Sequence, residues 1–470
     1  MDLRRDALTV VVVALVAGGV PRMAIAQAPN DSYYNFLMGR HLEGEDNIQG
    51  ALAALDRAAA ADPRAAEVRA EIARLHYRRE NRDEAEKAAK AALAIDERNF
   101  EANRILGLVY AGAAANERNT AAQAETYVRD AIKYLERAQS AAQGPPDPNL
   151  NYMLGRMYTV AGQPDKGVEA LRRVISQSPY SVPARMALAQ ALAATGDLPS
   201  AISTLDEVAD DSPAALEEMA KYQAGAGMYK DAITSYSRAL AAQPNNQRVK
   251  LQRIVAALEA KQYQQAATFA AEAQQQHPGE STFPRLQAMA LLELGNKQRA
   301  IELLESTAAK FPRDSETQFK LADVYADAGR PTDAERMLRQ MLSVNPADHR
   351  VLNYLGYLLA QNGKNLDEAI TLVNRALQAE PGRGEYLDSL GWAYYKQGNL
   401  NEAEKYLSQA AQKLPDHPEI LDHLGDVYAK RGRWPEAIDA WGRALASKEA
   451  GIEASAVQRK IDDARSRVGK

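Results

Sequence analysis

Apolar and small residues along this chain recur as pairs of amphipathic helices, with a period of about 34 residues. Residues 384–417 show one such unit. The apolar stripe of its first helix falls at i, i+3, i+4 and i+7, on Leu387, Leu390, Gly391 and Tyr394. Gly398 then ends the helix, because glycine reaches a positive φ without steric cost. The pattern therefore predicts a helical hairpin.

The second half of this unit predicts a second helix that packs closely on the first. Its inward positions include Ala403 and Leu407, and Pro415 closes the unit because proline cannot continue a helix interior. Gly391 and Ala403 are small where the two helices must approach. In other units a proline opens the second helix, where its missing N–H costs nothing. These prolines are Pro164, Pro199, Pro331 and Pro435.

These residues resemble the tetratricopeptide repeat family, whose units carry a bulky residue, Leu-Gly, Tyr, Ala, an aromatic residue or Leu, Ala and then Pro. The resemblance covers residues 29–449 and gives about twelve units. Their Leu-Gly positions fall at Gly39, Ala73, Gly107, Gly155, Ala189, Ala220, Ile254, Ala288, Ala322, Gly356, Gly391 and Gly425. It implies an all-α, right-handed superhelical solenoid of helical hairpins, whose first helices line a concave, peptide-binding groove.

Several units depart from the family pattern. About twelve extra residues within residues 111–125 predict lengthened helices or a projecting loop in the third unit. The step from the fifth to the sixth unit is about three residues short, and Pro213 both closes one unit and opens the next. One residue is inserted near Gly363. In the seventh unit, Ile254 is too large for the usual small position.

The last residues, 450–470, predict a helix that caps the array. Val457, Ile461 and Ala464 fall on one side of this helix, among charged residues. A stack of repeats needs such a polar cover at its open end.

The first 28 residues lie outside the repeat pattern and are typical of a secretory signal peptide. Two arginines precede an apolar run at residues 7–20, and small residues follow at 24–28. The run is about 14 residues long, whereas a membrane-spanning helix needs roughly 20. We expect cleavage after Ala26 or Ala28, with an uncleaved anchor as the alternative. No later stretch is apolar enough to span a bilayer, so we expect an exported, periplasmic protein.

Composition narrows the chemistry that this chain can perform. The formal net charge of −5 over 470 residues indicates no general affinity for nucleic acid. Cysteine is absent, which removes disulfides, thiolate metal sites and cysteine nucleophiles. The six histidines lack the spacing of metal ligands, and the sequence contains no phosphate loop, zincin helix or nucleophile elbow. We therefore expect no enzymatic activity, no cofactor and no metal.

The family alignment also implies which residues flank the core stripe and face the groove. In the last three units they are aromatic and acidic: Asn353, Tyr354, Tyr357, Asp388, Trp392, Tyr395, Asp422, His423 and Asp426. In the first four units they are basic and aromatic, and form a weaker candidate: Arg40, Arg74, Tyr77, Arg78, Arg104, Tyr152 and Arg156. Aromatic residues with a polar group often anchor partners, aspartates complement basic segments, and arginine forks accept carboxylates. The alternative for any one residue is simple packing or solvation of a helix face.

The carboxylate clamp of chaperone-binding family members is absent. That clamp needs an Asn near the end of a first helix, and the position here holds Arg40, Arg74, Leu108, Arg156 and Trp392. The last three units look like a subgroup of bacterial envelope repeat proteins. Some of that subgroup are lipoproteins that deliver substrates to a periplasmic processing protease, but this chain lacks their lipid-bearing cysteine.

The sequence therefore predicts an exported scaffold or adaptor that binds a protein or peptide partner in its groove. In one version of this hypothesis it recruits substrates to a processing protease. The alternative is a periplasmic subunit of an exopolysaccharide synthesis and export, or secretion, complex. An enzyme with a cryptic site and a non-sequence-specific RNA-binding protein are more distant alternatives.

Overall fold

The computed structural model describes residues 31–447 and 451–468, and the predicted signal peptide lies outside these residues. Every regular element of the described part is an α-helix, and 25 helices follow one another. This number equals twelve pairs and one further helix, so the predicted all-α repeat solenoid is confirmed. The chain forms two compact units, with the boundary between Ala226 and Gly227.

The first unit contains five hairpins and one further helix, α11. In each hairpin an odd-numbered first helix packs against the even-numbered helix that follows it. The helices are α1 (Asp31–Gly44), α2 (Ile48–Ala61), α3 (Ala66–Arg78), α4 (Arg82–Leu93), α5 (Phe100–Ala114), α6 (Ala121–Ala141), α7 (Pro148–Val160), α8 (Pro164–Gln177), α9 (Val182–Ala194), α10 (Leu198–Asp206) and α11 (Pro213–Gly225).

The second unit begins with α12, continues with six hairpins and ends with α25. Consecutive first helices of these hairpins also contact one another. The helices are α12 (Tyr229–Ala242), α13 (Gln247–Glu259), α14 (Tyr263–Gln276), α15 (Thr282–Glu293), α16 (Lys297–Lys310), α17 (Ser315–Asp327), α18 (Pro331–Val344), α19 (His349–Gln361), α20 (Leu366–Ala379), α21 (Gly384–Gln397), α22 (Leu400–Lys413), α23 (Pro418–Lys430), α24 (Trp434–Ala446) and α25 (Ala454–Val468).

Most hairpins with glycine at the small position close against a large residue of the second helix. A Cβ atom on Gly155 would lie 2.4 Å from Cγ of Leu171, and one on Gly391 would lie 2.6 Å from Cγ of Leu407. Packed interiors do not accommodate atoms at such separations without a shift. The small residue therefore sets how closely the two helices approach, as the sequence pattern predicts.

In the α13–α14 hairpin the large residue is on the first helix and the small residue is on the second. Ile254 is fully buried, and Ala270, sixteen positions later and equivalent to Leu407, is fully buried as well. Both residues belong to one apolar cluster with Phe283. The unusual size of Ile254 is accommodated because the second helix gives up the volume that the first helix gains.

The extra residues of the third unit lengthen its second helix. Helix α6 has 21 residues, whereas the other second helices have between 9 and 14. Thr120 caps its first turn by accepting a hydrogen bond from the backbone N–H of Gln123. Helix α10, with 9 residues, is the short second helix of the fifth unit.

Helix α25 packs against α24. Its three predicted inward residues, Val457, Ile461 and Ala464, are buried. They form one apolar cluster with Ala437 and Trp441 of α24. The amphipathic pattern of the last residues therefore identified the side of α25 that faces the array.

Candidate functional site

The predicted C-terminal groove residues lie on three first helices that contact one another, α19, α21 and α23. We call these nine residues the C-terminal cluster. Helix α19 carries Asn353, Tyr354 and Tyr357, helix α21 carries Asp388, Trp392 and Tyr395, and helix α23 carries Asp422, His423 and Asp426. The structure thus brings together residues that are up to 73 positions apart in the chain (353 to 426).

Trp392 forms the base of the C-terminal cluster and is only 6% exposed. Its ring stacks on His423 at 3.9 Å between centroids and on Tyr395 at 4.9 Å. Its indole Nε1 donates a hydrogen bond of 2.7 Å to Oε1 of Gln361. A side chain so enclosed supports the surface above it and offers little area to a ligand.

Asp388 and His423 form a buried pair beside Trp392. Nδ1 of His423 lies 2.9 Å from Oδ1 of Asp388, and both side chains are less than a tenth exposed. Burial disfavours the charged imidazolium, but the carboxylate of Asp388 outweighs burial and raises the pKa of His423 above its ordinary value of 6.5. The pair therefore favours a protonated imidazole inside the cluster.

Two tyrosines of the cluster donate hydrogen bonds to carboxylates on other first helices, α17 and α23. The Tyr357 hydroxyl donates to Oε1 of Glu419 at 2.7 Å, and the Tyr354 hydroxyl donates to Oδ1 of Asp323 at 3.3 Å. Burial, with the nearby carboxylates, raises the pKa of both tyrosines far above the ordinary range. Both phenols therefore stay protonated and act as donors.

Asp422 and Asp426 bind a lysine of the last helix. Nζ of Lys460 lies 2.8 and 2.9 Å from the two carboxylate oxygens of Asp422 and 2.7 Å from Oδ1 of Asp426. Burial opposes the ammonium, but hydrogen bonds to the two carboxylates outweigh it and raise the pKa of Lys460. The positive charge that the sequence interpretation assigns to a partner is thus supplied by the chain itself.

Asn353 adds an acceptor to the cluster. Its Oδ1 atom is buried and has no hydrogen-bond partner among the described residues. A buried amide oxygen without a partner is uncommon, and it costs about 1–3 kcal/mol relative to a satisfied one. Because the fold encloses this oxygen, it is not presented to a partner.

The arginines of the N-terminal candidate are largely paired within the first unit. Glu71, which is buried, binds Arg40 at 2.5 Å and Arg74 at 2.8 Å. Glu43 binds both Arg74 and Arg78. The guanidinium groups of these three arginines are therefore already engaged by two carboxylates, which offset most of the positive charge that the sequence presents on this face.

The remaining residues of the N-terminal candidate are dispersed. Arg104 forms two hydrogen bonds with Glu101, at 2.8 and 2.6 Å. Tyr77 packs against the α5–α6 core, and the Arg156 guanidinium lies 5.7 Å from the centroid of the Tyr152 ring. Among the described residues, those of the N-terminal candidate form no counterpart to the stack of Trp392 on His423 and Tyr395, so this candidate remains the weaker one.

An apolar groove on the α13–α14 and α15–α16 hairpins escaped the sequence interpretation. It has a volume of about 320 Å³ and is lined by Val255, Leu258, Glu259, Tyr263, Leu286, Met289, Leu292, Glu293 and Lys320. The signal was present in the sequence, because Val255 and Met289 are 34 residues apart, as are Leu258 and Leu292. The sequence interpretation also missed Gln361, Glu419 and Lys460, since no local pattern marks these partners.

Within residues 31–447 and 451–468, no group of three or more His, Asp and Glu side chains is arranged to hold a metal ion. Over the same residues, none of the helices combines the length and the apolar character needed to cross a membrane. Within the C-terminal cluster Asp388 and His423 pair with each other, and others of its polar side chains bind Asp323, Gln361, Glu419 and Lys460.

Two family models described as tetratricopeptide repeat match this chain. The first matches residues 36–99, 120–182, 152–215, 319–383 and 389–454, and the second matches residues 186–347. Together they cover most of the chain, which therefore belongs to the tetratricopeptide repeat family. A curated relative, the TPR repeat-containing protein PA4667 of Pseudomonas aeruginosa, is 26% identical over 113 residues. That match covers 24% of this chain and only 19% of the relative.

Several solved structures are similar in fold. Yeast Tom70 gives a TM-score of 0.44 at 12% identity, over 93% of this chain and 96% of that chain. A tetratricopeptide repeat protein from Parabacteroides merdae gives 0.47 at 16% identity, over 54% and 99%. Naa15/Naa10 bound to HypK-THB gives 0.40 at 15% identity, over 89% and 69%. At these identities the likeness concerns the fold alone.

Proposed function

We propose that this tetratricopeptide repeat protein is a non-enzymatic scaffold that binds segments of partner proteins along its first helices. The observation that carries the proposal is the row of tyrosine–carboxylate pairs in the second unit. Tyr354 with Asp323, and Tyr357 with Glu419, follow one another across α17, α19 and α23. Aromatic rings beside acceptors are frequent anchors of protein interfaces.

The hairpins do not need this row in order to close. Closure depends on the apolar stripe and the small position, as the approach of Gly391 to Leu407 shows. Glu419 accepts the Tyr357 hydroxyl. Asp323 accepts both the Tyr354 hydroxyl and Nζ of Lys320. Each carboxylate keeps further lone pairs for other donors. The row therefore offers carboxylate acceptors to lysine, arginine or backbone N–H groups of a partner.

The buried part of the cluster holds the row in place. Trp392 is fixed from both sides by His423 and Tyr395, and Asp388 fixes His423 in turn. A binding surface whose side chains are already held loses less conformational entropy when a partner binds. Trp392, Asp388 and His423 thus act as positioning residues for the binding surface.

We propose further that the scaffold is exported and works as an adaptor. Export is supported by the arginines, the apolar run and the small residues within residues 1–28. Recruitment of substrates to a processing protease is a narrower form of this proposal, supported by the resemblance of the last three units to envelope repeat proteins. Identification of the captured partner separates this form from other adaptor roles.

Affinity capture from the native cells tests the scaffold proposal. The bait is the full chain, compared with an isosteric variant, Asp323→Asn with Glu419→Gln, which removes two charges of the row and keeps its shape. The matched control, Asp165→Asn with Glu169→Gln, makes the same charge change on the exposed side of α8. Circular dichroism confirms the fold of each bait.

We expect a protein partner to be retained by the native chain and by the control, and to be lost or weakened with the row variant. Equal recovery by all three baits would show that the row is not the binding surface. If the native chain retains no protein above background, the scaffold proposal itself fails.

A further inference from the structure

The apolar groove of the second unit lies on the first helices α13 and α15. Val255 and Leu258 of α13 face Leu286, Met289 and Leu292 of α15 across it. Val255 is 41% exposed and Met289 is 37% exposed. Large apolar side chains that remain exposed side by side favour a partner that removes them from water.

The groove belongs to the same face as the tyrosine–carboxylate row. Val255 directly follows the small-position residue Ile254, and the residues at this position in later hairpins include Asp323, Tyr357 and Trp392. The groove and the row therefore occupy equivalent positions on successive first helices of one compact unit. A segment bound along this face meets the apolar positions first and the polar row afterwards.

The rim of the groove is acidic. Glu259 and Glu293 line it, are both exposed, and stand 34 residues apart at equivalent positions. Tyr263 lies beside Glu293 in the lining. The one ammonium among the lining residues, Lys320, is paired with Asp323 at 2.8 Å. The rim therefore keeps a negative charge that the lining does not balance.

We infer that this groove docks an amphipathic basic segment of a partner protein, with apolar side chains in the groove and lysine or arginine against Glu259 and Glu293. The inference rests on the proposed scaffold function and adds the chemical class of the segment. A volume of about 320 Å³ accommodates several side chains of a bound segment. Apolar anchors give affinity, and charge complementarity at the rim gives selectivity and orientation.

Peptide binding to the full chain tests the inference. Two fluorescein-labelled peptides of about fifteen residues share the same leucine and phenylalanine anchors, separated by lysine and arginine in one and by glutamate and aspartate in the other. The groove variant is Val255→Lys with Met289→Lys. The matched control is Val160→Lys with Val344→Lys, two valines that are 67% and 84% exposed outside the groove.

We expect the basic peptide to bind the native chain and the control equally, and the groove variant at least about tenfold more weakly. The acidic peptide should bind none of the three chains measurably. The inference is overturned if the basic peptide fails to bind the native chain, binds the groove variant equally well, or binds no better than the acidic peptide.

A thiol-protection measurement locates the bound peptide. Because the chain contains no cysteine, Met289→Cys would carry its single thiol, and Val344→Cys provides a matched single thiol elsewhere. The basic peptide should slow alkylation of Met289→Cys and leave the rate at Val344→Cys unchanged. Equal rates with and without the peptide at Met289→Cys would place it outside the groove.

Including the groove variant in the capture experiment separates the two proposals. If the native chain retains a partner and the groove variant retains it as strongly, the groove inference fails and the scaffold proposal stands. If the native chain binds the basic peptide in the groove but captures no protein from the native cells, the scaffold proposal fails.

Discussion

The α13–α14 and α21–α22 hairpins of the second unit place the large and the small residue of the helix crossing on opposite helices. In α21–α22 the first helix contributes Gly391 and the second contributes Leu407, whereas α13–α14 pairs Ile254 with Ala270. The repeat thus preserves the summed side-chain volume of the two residues where the helices cross. The residue on either helix can vary if the residue on the other helix compensates. An unusual residue at the small position of the first helix can therefore be interpreted only together with the residue that it meets on the second helix.

The same two hairpins also differ in what they leave to solvent. In the α21 region, the polar residues Asp388 and His423 are buried and paired, and Trp392 is covered. In the α13 region, Val255 is exposed at the position equivalent to Trp392. The first region therefore completes its contacts within the chain, and the second leaves apolar area that a partner can cover.

The largest expected effect comes from exchanging sizes at the α13–α14 crossing. Ile254→Ala should lower the free energy of unfolding of this region by about 3 kcal/mol, because it opens a cavity in a fully buried site. Ala270→Leu alone should cost about 2 kcal/mol through overpacking. The double variant recreates the arrangement of the next hairpin, in which Ala288 and Leu304 share one core.

The double variant should therefore be more stable than either single variant, with a coupling of at least about 1 kcal/mol. Hydrogen exchange of the α13 and α14 amides, followed by mass spectrometry, measures the effect locally. Additive losses in the double variant would mean that the two positions do not share volume, and the comparison between the hairpins would lose its physical basis.

A smaller effect is expected from adding one methyl group at the α21–α22 crossing. Gly391→Ala should destabilise the hairpin by about 2 kcal/mol, because the new Cβ lies 2.6 Å from Cγ and 3.0 Å from the backbone N of Leu407. Gly442→Ala on α24 is the matched control. It meets no atom within 4 Å, so it should stabilise α24 by up to about 1 kcal/mol through helix propensity.

Urea unfolding followed by tryptophan fluorescence measures both variants, since the three tryptophans lie between Trp392 and Trp441. Opposite signs for the two glycines are the expected result. A stabilising Gly391→Ala would show that the helices can separate at little cost, and that the glycine does not set their approach.

Local periodicity accounts for the part of the fold that the sequence could predict. The hairpins, the glycine approach at Gly391 and the inward side of α25 each depend on residues within about one repeat. The pairing of Lys460 with Asp422 depends instead on how α25 lies across α23, and the contact of Tyr357 with Glu419 bridges 62 positions. Such contacts follow from the stacking of hairpins, which no single repeat encodes.

The candidate site shows the same limit residue by residue. Trp392 lies next to the apolar stripe of α21. Its position in the repeat therefore does not determine whether other side chains bury it. His423, Tyr395 and Gln361 cover it, whereas Val255 at the equivalent position remains exposed. Exposure of the side chain at this position therefore depends on residues from neighbouring hairpins. The hydrophobic periodicity of one helix cannot predict it.

The buried Asp388–His423 pair gives a pH-dependent difference between the two regions. Asp388→Asn should reduce the stability of the α21 region by about 1.5 kcal/mol near pH 6, because it removes a hydrogen bond to a charged group. The pKa of His423 is raised in the folded chain, so the stabilisation is complete below the ordinary value of 6.5 and is lost as pH rises through the folded-state pKa.

The cost of Asp388→Asn should therefore shrink as the pH rises above the ordinary value of 6.5 and through the folded-state pKa of His423, as followed by tryptophan fluorescence during urea unfolding. Glu380→Gln is the matched control, because it removes the carboxylate that faces the partly exposed His349 at 3.4 Å. This control should have a smaller effect. A cost of Asp388→Asn that does not change with pH would show that the imidazole is neutral in the folded chain.

The smallest expected effect is at Lys460. It tests whether the C-terminal cluster differs from the groove mainly because a lysine of the chain itself already binds its carboxylates. Lys460→Met keeps the apolar stem and removes the ammonium that Asp422 and Asp426 bind, which should cost about 1 kcal/mol. Amides of α25 should then exchange faster, while Arg459→Met, at an exposed neighbouring position, should leave their exchange unchanged. With its carboxylates released, the C-terminal cluster should bind the basic peptide more strongly than in the native chain and so come to behave like the open groove. If the α25 amides exchange faster but the affinity for the basic peptide does not rise, the released carboxylates of the cluster do not bind basic segments. The cluster and the groove would then differ in more than the presence of Lys460.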